Sequence, residues 1–233
     1  MSPDPRYNPE YVPLSKLPQF DPLKIPVIAV DTHLPAVASA SLQPQSLRNR
    51  FRKPPIWQPE YRTEPPYAER QTKQAAVLIP IVMREAPMVL LTQRTAHLST
   101  HSGQIAFPGG KVDDGDESVT ATALREANEE IGLHPRFVEV VGNLPIYTTG
   151  SAFVITPVVA LLTPGFTVVP NANEVADVFE VPLAFLMNPV NHRRHEIEAG
   201  GIKREWLSMP YEERFIWGAT AGMLRNLYRF LSA

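Results

Sequence analysis

Three carboxylates, Glu126, Glu129 and Glu130, stand in the run Arg125-Glu126-Ala127-Asn128-Glu129-Glu130-Ile131-Gly132-Leu133 at relative positions i, i+3 and i+4. On an α-helix those positions share one face, with Cβ atoms about 5–6 Å apart. Like charges that close repel and weaken an isolated helix, so the cluster makes physical sense around a hard cation. Mg²⁺ suits it, because that ion takes a few carboxylates and keeps the rest of its octahedral shell for water and substrate phosphates; Mn²⁺ is the alternative that the residues leave open. A solvated, Glu-rich helix face is the plainer explanation of such a pattern. Three neighbours argue for the site. Gly109-Gly110 leads into the helix through a short acidic loop. Arg125 lies beside the carboxylates and can fix one of them through paired hydrogen bonds. Gly132 supplies a helix stop.

The stretch resembles the Nudix box, G-x5-E-x7-R-E-U-x-E-E-x-G-U, where U is a bulky aliphatic residue. Its second half fits from Arg125 to Leu133, with Ala127 small where U is expected. In the first half one extra residue separates Gly110 from Glu117, and Asp116 is the other occupant of the Glu position. The extra residue, with Asp113 and Asp116, is similar to the coenzyme A-directed Nudix hydrolases. Those enzymes carry an upstream signature, roughly L-L-T-x-R-[SA]-x3-R-x3-G-x3-F-P-G-G. This chain keeps its spacing through Leu90-Leu91-Thr92-Gln93-Arg94 and on through Gly103, Gln104 and Phe107 to Gly109 and Gly110. Thr95 stands for Ser/Ala, and Ser99 for the second basic residue. The resemblance runs from about residue 75 to the C-terminus. It implies an α/β fold, a Nudix-type α/β/α sandwich around a mixed sheet. It also implies substrate contacts at Arg94, Gly103, Gln104, Phe107, Gly109 and Gly110, and metal ligands at Glu126, Glu129 and Glu130.

A pyrophosphate linkage is anionic and resists hydroxide, so its hydrolysis needs charge neutralisation, an activated water and in-line placement, all of which a divalent ion can supply. The Gly-Gly turn lets backbone approach without Cβ interference. Arg125 reads as the organiser of a glutamate. The resemblance implies a general base drawn from a loop beyond the box: Glu174 in Asn171-Ala172-Asn173-Glu174-Val175 is the first expectation and Asp177 the second; Glu129 or Glu130 is the alternative, with Glu174 then a loop cap. A base is judged by geometry before pKa. His101 and the loop Tyr147-Thr148-Thr149-Gly150-Ser151 are further candidates to line the site, whereas His192 and His195 read as surface or core residues.

The elements that must position these groups begin near residue 75. Apolar runs predict strands over 75–83 and 88–93, joined by Arg84-Glu85-Ala86-Pro87, and a third over 104–107 entering the Pro-Gly-Gly turn. A helix is expected over 117–131, burying Leu124, Ala127 and Ile131 at helical spacing. Strands follow over 137–144 and 153–162, a weaker one over 166–169, a short helix over 181–187 and a strand over 195–199. A C-terminal helix over 216–231 carries Ile216, Ala219, Met223, Leu227 and Phe230 on one stripe.

Of 25 prolines, 14 fall in the first 66 residues. That density removes backbone donors and fixes φ, so little regular structure is expected there beyond a brief helix over 46–51. The chain is divided accordingly into a Pro-rich N-terminal extension, 1–70, and a Nudix domain, 71–233. The extension is expected to wrap the domain or to mediate homodimer contacts. The absence of Cys rules out disulfides, thiolate catalysis and Cys-ligated metal. A formal net charge of −2 gives no global basic field for nucleic acid. The apolar runs fall well short of the ~20 residues a membrane span needs, and neither a signal peptide nor a peroxisomal tail is evident, so the expectation is a cytoplasmic protein with a small-molecule nucleotide substrate.

The leading expectation is Mg²⁺-dependent hydrolysis of coenzyme A or its derivatives, yielding 3′,5′-ADP and 4′-phosphopantetheine or its acyl form. The second keeps the chemistry but changes the substrate to NADH, ADP-ribose, a nucleoside diphosphate sugar, a dinucleotide or a capped RNA end. The third, a non-catalytic Nudix-fold binding module, would be favoured by loss of the carboxylates, and Glu126, Glu129 and Glu130 are all present.

Overall fold

A computed structural model describes residues 20–62, 72–96, 103–199 and 202–233. In chain order the elements are β1 (Val27–Val30), α1 (Pro44–Arg52), β2 (Lys73–Val82), β3 (Met88–Arg94), β4 (Ile105–Ala106), β5 (Gly109–Lys111), α2 (Val119–Ile131), β6 (Val138–Asn143), β7 (Tyr147–Thr148), β8 (Phe153–Leu162), β9 (Val175–Pro182), α3 (Leu183–Leu186), β10 (Arg193–Ala199), β11 (Ile202–Tyr211), β12 (Arg214–Trp217) and α4 (Gly218–Ser232).

An eight-stranded mixed sheet is ordered β4-β3-β2-β8-β6, with β5 on β2, β7 on β8 and β9 on β3. At its centre β2 runs parallel to β8 over its whole length. Both strands are near-continuous apolar runs because the sheet is covered on both faces, where a half-exposed strand would alternate. Ala76, Leu78 and Ala160 face Ala123, Ala127 and Ile131 of α2 on one side. Ile79, Ile81 and Val159 face Leu224 and Leu227 of α4 on the other. The second, antiparallel sheet, β1-β10-β11-β12, lies against α4 through Leu207, Met209 and Ile216.

The helix α2 is closed by local chemistry at both ends. The Ser118 hydroxyl accepts from the Ala121 amide, and Gly132 takes the left-handed conformation at φ 68° while its amide donates to Ala127 and Asn128 carbonyls. Only glycine enters that conformation freely. The helix starts two residues later than expected, because Ser118 is the cap.

Four sequence expectations differ from the structure. Residues 166–169 form no strand; the Val169 amide instead closes onto the Ile131 carbonyl. The helix expected over 181–187 shrinks to α3, because Val181 and Pro182 complete β9 in its pairing with β3. Ile216 belongs to β12, and α4 begins at Gly218, whose φ of 62° breaks the apparent stripe. The N-terminal region is more regular than its prolines suggest, since β1 and the nine-residue α1 form there with Pro44 in the first helical turn, where its missing donor costs nothing.

The N-terminal residues are fastened to the rest of the chain by polar contacts. Arg48 grips Glu139 of β6 through three hydrogen bonds of 2.7–3.1 Å. The Asn226 side chain on α4 accepts the amides of Glu60 and Tyr61 and donates to the Tyr61 carbonyl. Arg225, fully buried, lies 2.7 Å from Glu60 and 2.9 Å from Asp31. Among the described residues no helix is long and apolar enough to cross a membrane.

Candidate active site

Four carboxylates lie near the place where β2 and β5 pack against α2. Glu126, Glu129 and Glu130 project from α2; Glu174 comes from the loop before β9. The segment Gly109-Gly110 crosses β2 at Ala76 and Val77. A Cβ on Gly109 would collide with the Ala76 carbonyl, and one on Gly110 with the Glu126 carboxylate. Gly109, at φ 157° against backbone, requires glycine, while a side chain at Gly110 would displace the Glu126 carboxylate from its place.

Glu130 is the most enclosed of the four, its side chain 5% exposed. One of its oxygens accepts from the Gly109 amide at 3.1 Å, and Arg94 Nη1 stands 3.7 Å from the other. Burial pushes its pKa up to about 7 against those two favourable contacts, and the charges of Glu126 and Glu174 add to the rise. Glu126 is likewise raised, first by burial and further by Glu129 and Glu174, with Arg125 opposing.

Arg125 spans the opposite side. Its Nε and Nη2 each donate to Asp116 at 2.9 Å, its Nη1 donates to Glu126 at 3.1 Å and Glu129 at 3.0 Å, and its Nη2 also reaches the Lys111 carbonyl. The hydrogen bonds from Arg125, with those from the Asp113 amide and Thr122, hold the Asp116 carboxyl well below the ordinary range. Of the two residues able to take the box's first acidic position, the fold thus sets Asp116 against Arg125, while Glu117 is exposed. The aspartate is one methylene shorter than glutamate and the loop is one residue longer.

Among the described residues no three carboxylates or imidazoles have their donor atoms already gathered as one ligand set. The donor chemistry nevertheless fits a hard divalent cation. Two partly buried acids, each raised by burial and further by its neighbours' charge, form an anionic cluster that a cation would relieve. Glu126, Glu129 and Glu130 are the side chains that would hold it.

The other expected site residues are distributed as follows. Arg94 and Glu174 converge on the carboxylates, and the Thr95 amide ties β3 to the Glu174 carbonyl at 3.0 Å. Gly103, at φ 68°, has open space around it, and the Gln104 carbonyl accepts the Arg94 amide. Phe107 is a correction: it is 3% exposed and packs in the core on the α4 face, so it offers no surface to a substrate. Asp177 is taken by Arg214 and by the Val178 amide. Tyr147 is buried against Gly222 of α4. Ser99 and His101 lie outside the described residues. His192 and His195 are core histidines: the Nε2 of His192 bonds the Leu186 carbonyl while its Nδ1 accepts from Arg225, and His195 bridges Ser208 and the 25–26 backbone. Sequence reasoning passed over Arg214, whose partners lie 121 and 37 residues away, and no local signal marks it.

A NUDIX domain model matches residues 72–203. Over 166 residues the chain is 48% identical to an uncharacterized Nudix hydrolase, NudL, of Escherichia coli O7:K1 (strain IAI39 / ExPEC), which covers 70% of this chain and 86% of that protein. NudL of Shigella boydii serotype 18 (strain CDC 3083-94 / BS512) matches to the same extent. Among solved structures, a C. elegans Ap4A hydrolase binary complex aligns at 22% identity over 48% of this chain and 81% of that one, with a TM-score of 0.41. With the family model spanning more than half of the sequence and the relatives more than two thirds, the chain belongs to the Nudix family and is a Nudix hydrolase.

Proposed function

We propose that this Nudix pyrophosphohydrolase cleaves coenzyme A or its derivatives to 3′,5′-ADP and 4′-phosphopantetheine, or the acylated form of the latter. The observation that carries the reading is the Leu90–Gly110 signature, kept at family spacing and ending with Arg94 beside Glu130. Residues 71–233 are taken as the catalytic unit.

In the reaction a water oxygen bonds to one phosphorus, the bridging P–O bond to that phosphorus breaks, and the departing phosphate carries the bridging oxygen. Mg²⁺ or Mn²⁺, when held by Glu126, Glu129 and Glu130, would neutralise phosphate charge and acidify the water. Glu174 takes the water's proton on a carboxylate oxygen; it is assigned that role because it faces Glu126 and Glu130 from a separate element. Arg125 orients Glu126 and Glu129 with its fork. Arg94 presents a cation where a substrate phosphate enters.

The decisive measurement is kcat/KM for coenzyme A, dephospho-coenzyme A, NADH and ADP-ribose with Mg²⁺, the products identified by mass. Coenzyme A should lead. If Arg94 meets the 3′-phosphate, its loss should cost about 1.5–3 kcal/mol, roughly 10- to 150-fold. A second reading, hydrolysis of another nucleoside diphosphate derivative, is favoured by Ser99 in place of the basic signature residue. Efficient cleavage of NADH or ADP-ribose with poor cleavage of coenzyme A would select it.

A further inference from the structure

Arg94, at the end of β3, and Glu174, in the loop just before β9, reach the carboxylate cluster beside a break in the register of those two strands. Gln93 pairs with Asp177, but Arg94 pairs with Val175, so Ala176 is an extra residue in β9. A bulge of this kind bends the strand and re-aims the side chains next to it. Here it turns Arg94 toward Glu130, while Gln93, one residue earlier, points to the opposite face of the sheet. The extra residue also interrupts the regular pairing at the point where two site groups depend on it.

On that opposite face sits Arg214, the first residue of β12. Its Nη1 donates to Gln93 Oε1 at 2.6 Å and its Nη2 to Asp177 Oδ2 at 2.5 Å. The guanidinium lies 4.5 Å over the Phe179 ring. One planar fork thus spans the last regular pair before the bulge and is held flat by an aromatic ring. Beyond the bulge, the Thr95 amide donates to the Glu174 carbonyl and the Thr95 hydroxyl to the Asn173 carbonyl, so whatever fixes the end of β3 also fixes the Glu174 loop.

We infer that Arg214 is a positioning residue: by bracketing Gln93 to Asp177 across β3 and β9, it sets Arg94 and Glu174 in place against Glu130 from the far side of the sheet. The inference rests on the pyrophosphohydrolase reading for its kinetic readout alone. A lysine cannot replace Arg214, because a single ammonium does not present two parallel donors to two acceptors.

The test uses Arg214→Met, which keeps length and removes both donors. Amide hydrogen exchange at Thr95 should become ~10-fold faster, while exchange in the middle of α2 stays as in the wild type. With the substrate that the wild type cleaves best, kcat should fall ~10-fold, since sub-ångström misplacement of catalytic groups is enough for a loss of that size. Arg214→Lys should recover less than half of it. The double variant Arg214→Met/Arg94→Ala should lose less than the product of the two single losses, because part of the first change acts through Arg94 and only the part through Glu174 remains. Unchanged exchange at Thr95, or losses that multiply in the double variant, would overturn the inference. A general drop in Tm with wild-type kcat would make Arg214 merely structural and overturn it as well. If Arg214→Met does not fold, Gln93→Leu cuts one arm of the bracket and is read in the same way. If the wild type cleaves no pyrophosphate, the functional reading fails, and hydrogen exchange still decides whether Arg214 sets the Arg94–Glu174 register.

Discussion

Two clusters of charge lie in this molecule, and they are built on opposite plans. In one, Asp31 and Glu60 meet Arg194, Arg225 and Arg229 between the N-terminal residues and α4. In the other, among the described residues Glu126, Glu129, Glu130 and Glu174 meet only Arg94 and Arg125 at short range, and Arg125 is shared with Asp116. Burial opposes ionisation in both. In the first, hydrogen bonds from Arg194, Arg225 and Arg229 overcome burial and hold Glu60 at about 2. In the second, burial prevails and Glu130 rises to about 7. Where each acid has its own guanidinium, the charges hold the fold together. Where acids outnumber their partners, the fold bears a local cost that makes sense only if something else arrives to meet them.

The comparison breaks first in stability. Glu60→Ala leaves buried Arg225 short of a partner, and removing one member of a buried pair costs about 3–5 kcal/mol. Urea unfolding should show that loss, with kcat of the folded protein unchanged. A drop below about 1 kcal/mol would mean that the arginines find substitutes and that the first cluster is not structural.

His192 sharpens the first cluster through pH. Burial, with the Arg225 charge, holds its pKa at about 4 despite the Leu186 hydrogen bond. The unfolded chain therefore binds a proton below pH ~6.5 that the native state refuses until about pH 4, so stability falls as pH drops through that window. Glu60 adds a loss of the same sign lower down, between about pH 4.5 and 2, where the native carboxylate stays ionised longer than the unfolded one. The difference between the stability curves of the wild type and His192→Gln isolates the upper window and should reach roughly 3 kcal/mol. A difference independent of pH would show that His192 takes up its proton over the same pH range folded and unfolded.

For the second cluster the expected signs reverse. Glu130→Gln should lower kcat at least ~10²-fold, since charge stabilisation of that size rests on the bound ion. Its Tm should hold or rise, because a neutral group replaces an enclosed acid beside like charges. Loss of stability with retained turnover would place Glu130 with the structural acids. The smallest effect is assigned to Arg125→Lys, which keeps the charge and loses the fork gripping Asp116; kcat should fall ~10-fold. Full activity in that variant would show that Arg125 supplies charge alone.

The second cluster was largely legible in the sequence and the first was not, for a physical reason. The glutamates and Gly132 act within a few turns of one helix, so spacing exposes them. Strands β2, β3 and β8 are likewise long apolar runs. Asp31 and Glu60 find their partners 163 and 134 residues away on Arg194, and no local pattern announces such a pair. The strand β9 was missed because only Val175 and Val181 along it are fully buried. Its pairing with β3 decides where Glu174 goes, which is why that residue was picked out by resemblance alone. Phe107 misled in the other direction: its place in the signature suggested the site, while its burial belongs to the core.

The clamp of Asn226 on residues 60 and 61 also has a timetable. Glu60 and Tyr61 wait for a side chain about 165 positions further along the chain. At roughly 5–20 residues per second, a ribosome needs on the order of 10–30 s to make that stretch. Throughout that interval Asp31, Glu60 and the aromatic surface of Trp57 have neither Arg225 nor Phe230 to pack against, because those residues are not yet made. Helix α4 thus closes a segment made about 165 positions before it, and the clamp forms only once Asn226 has been added.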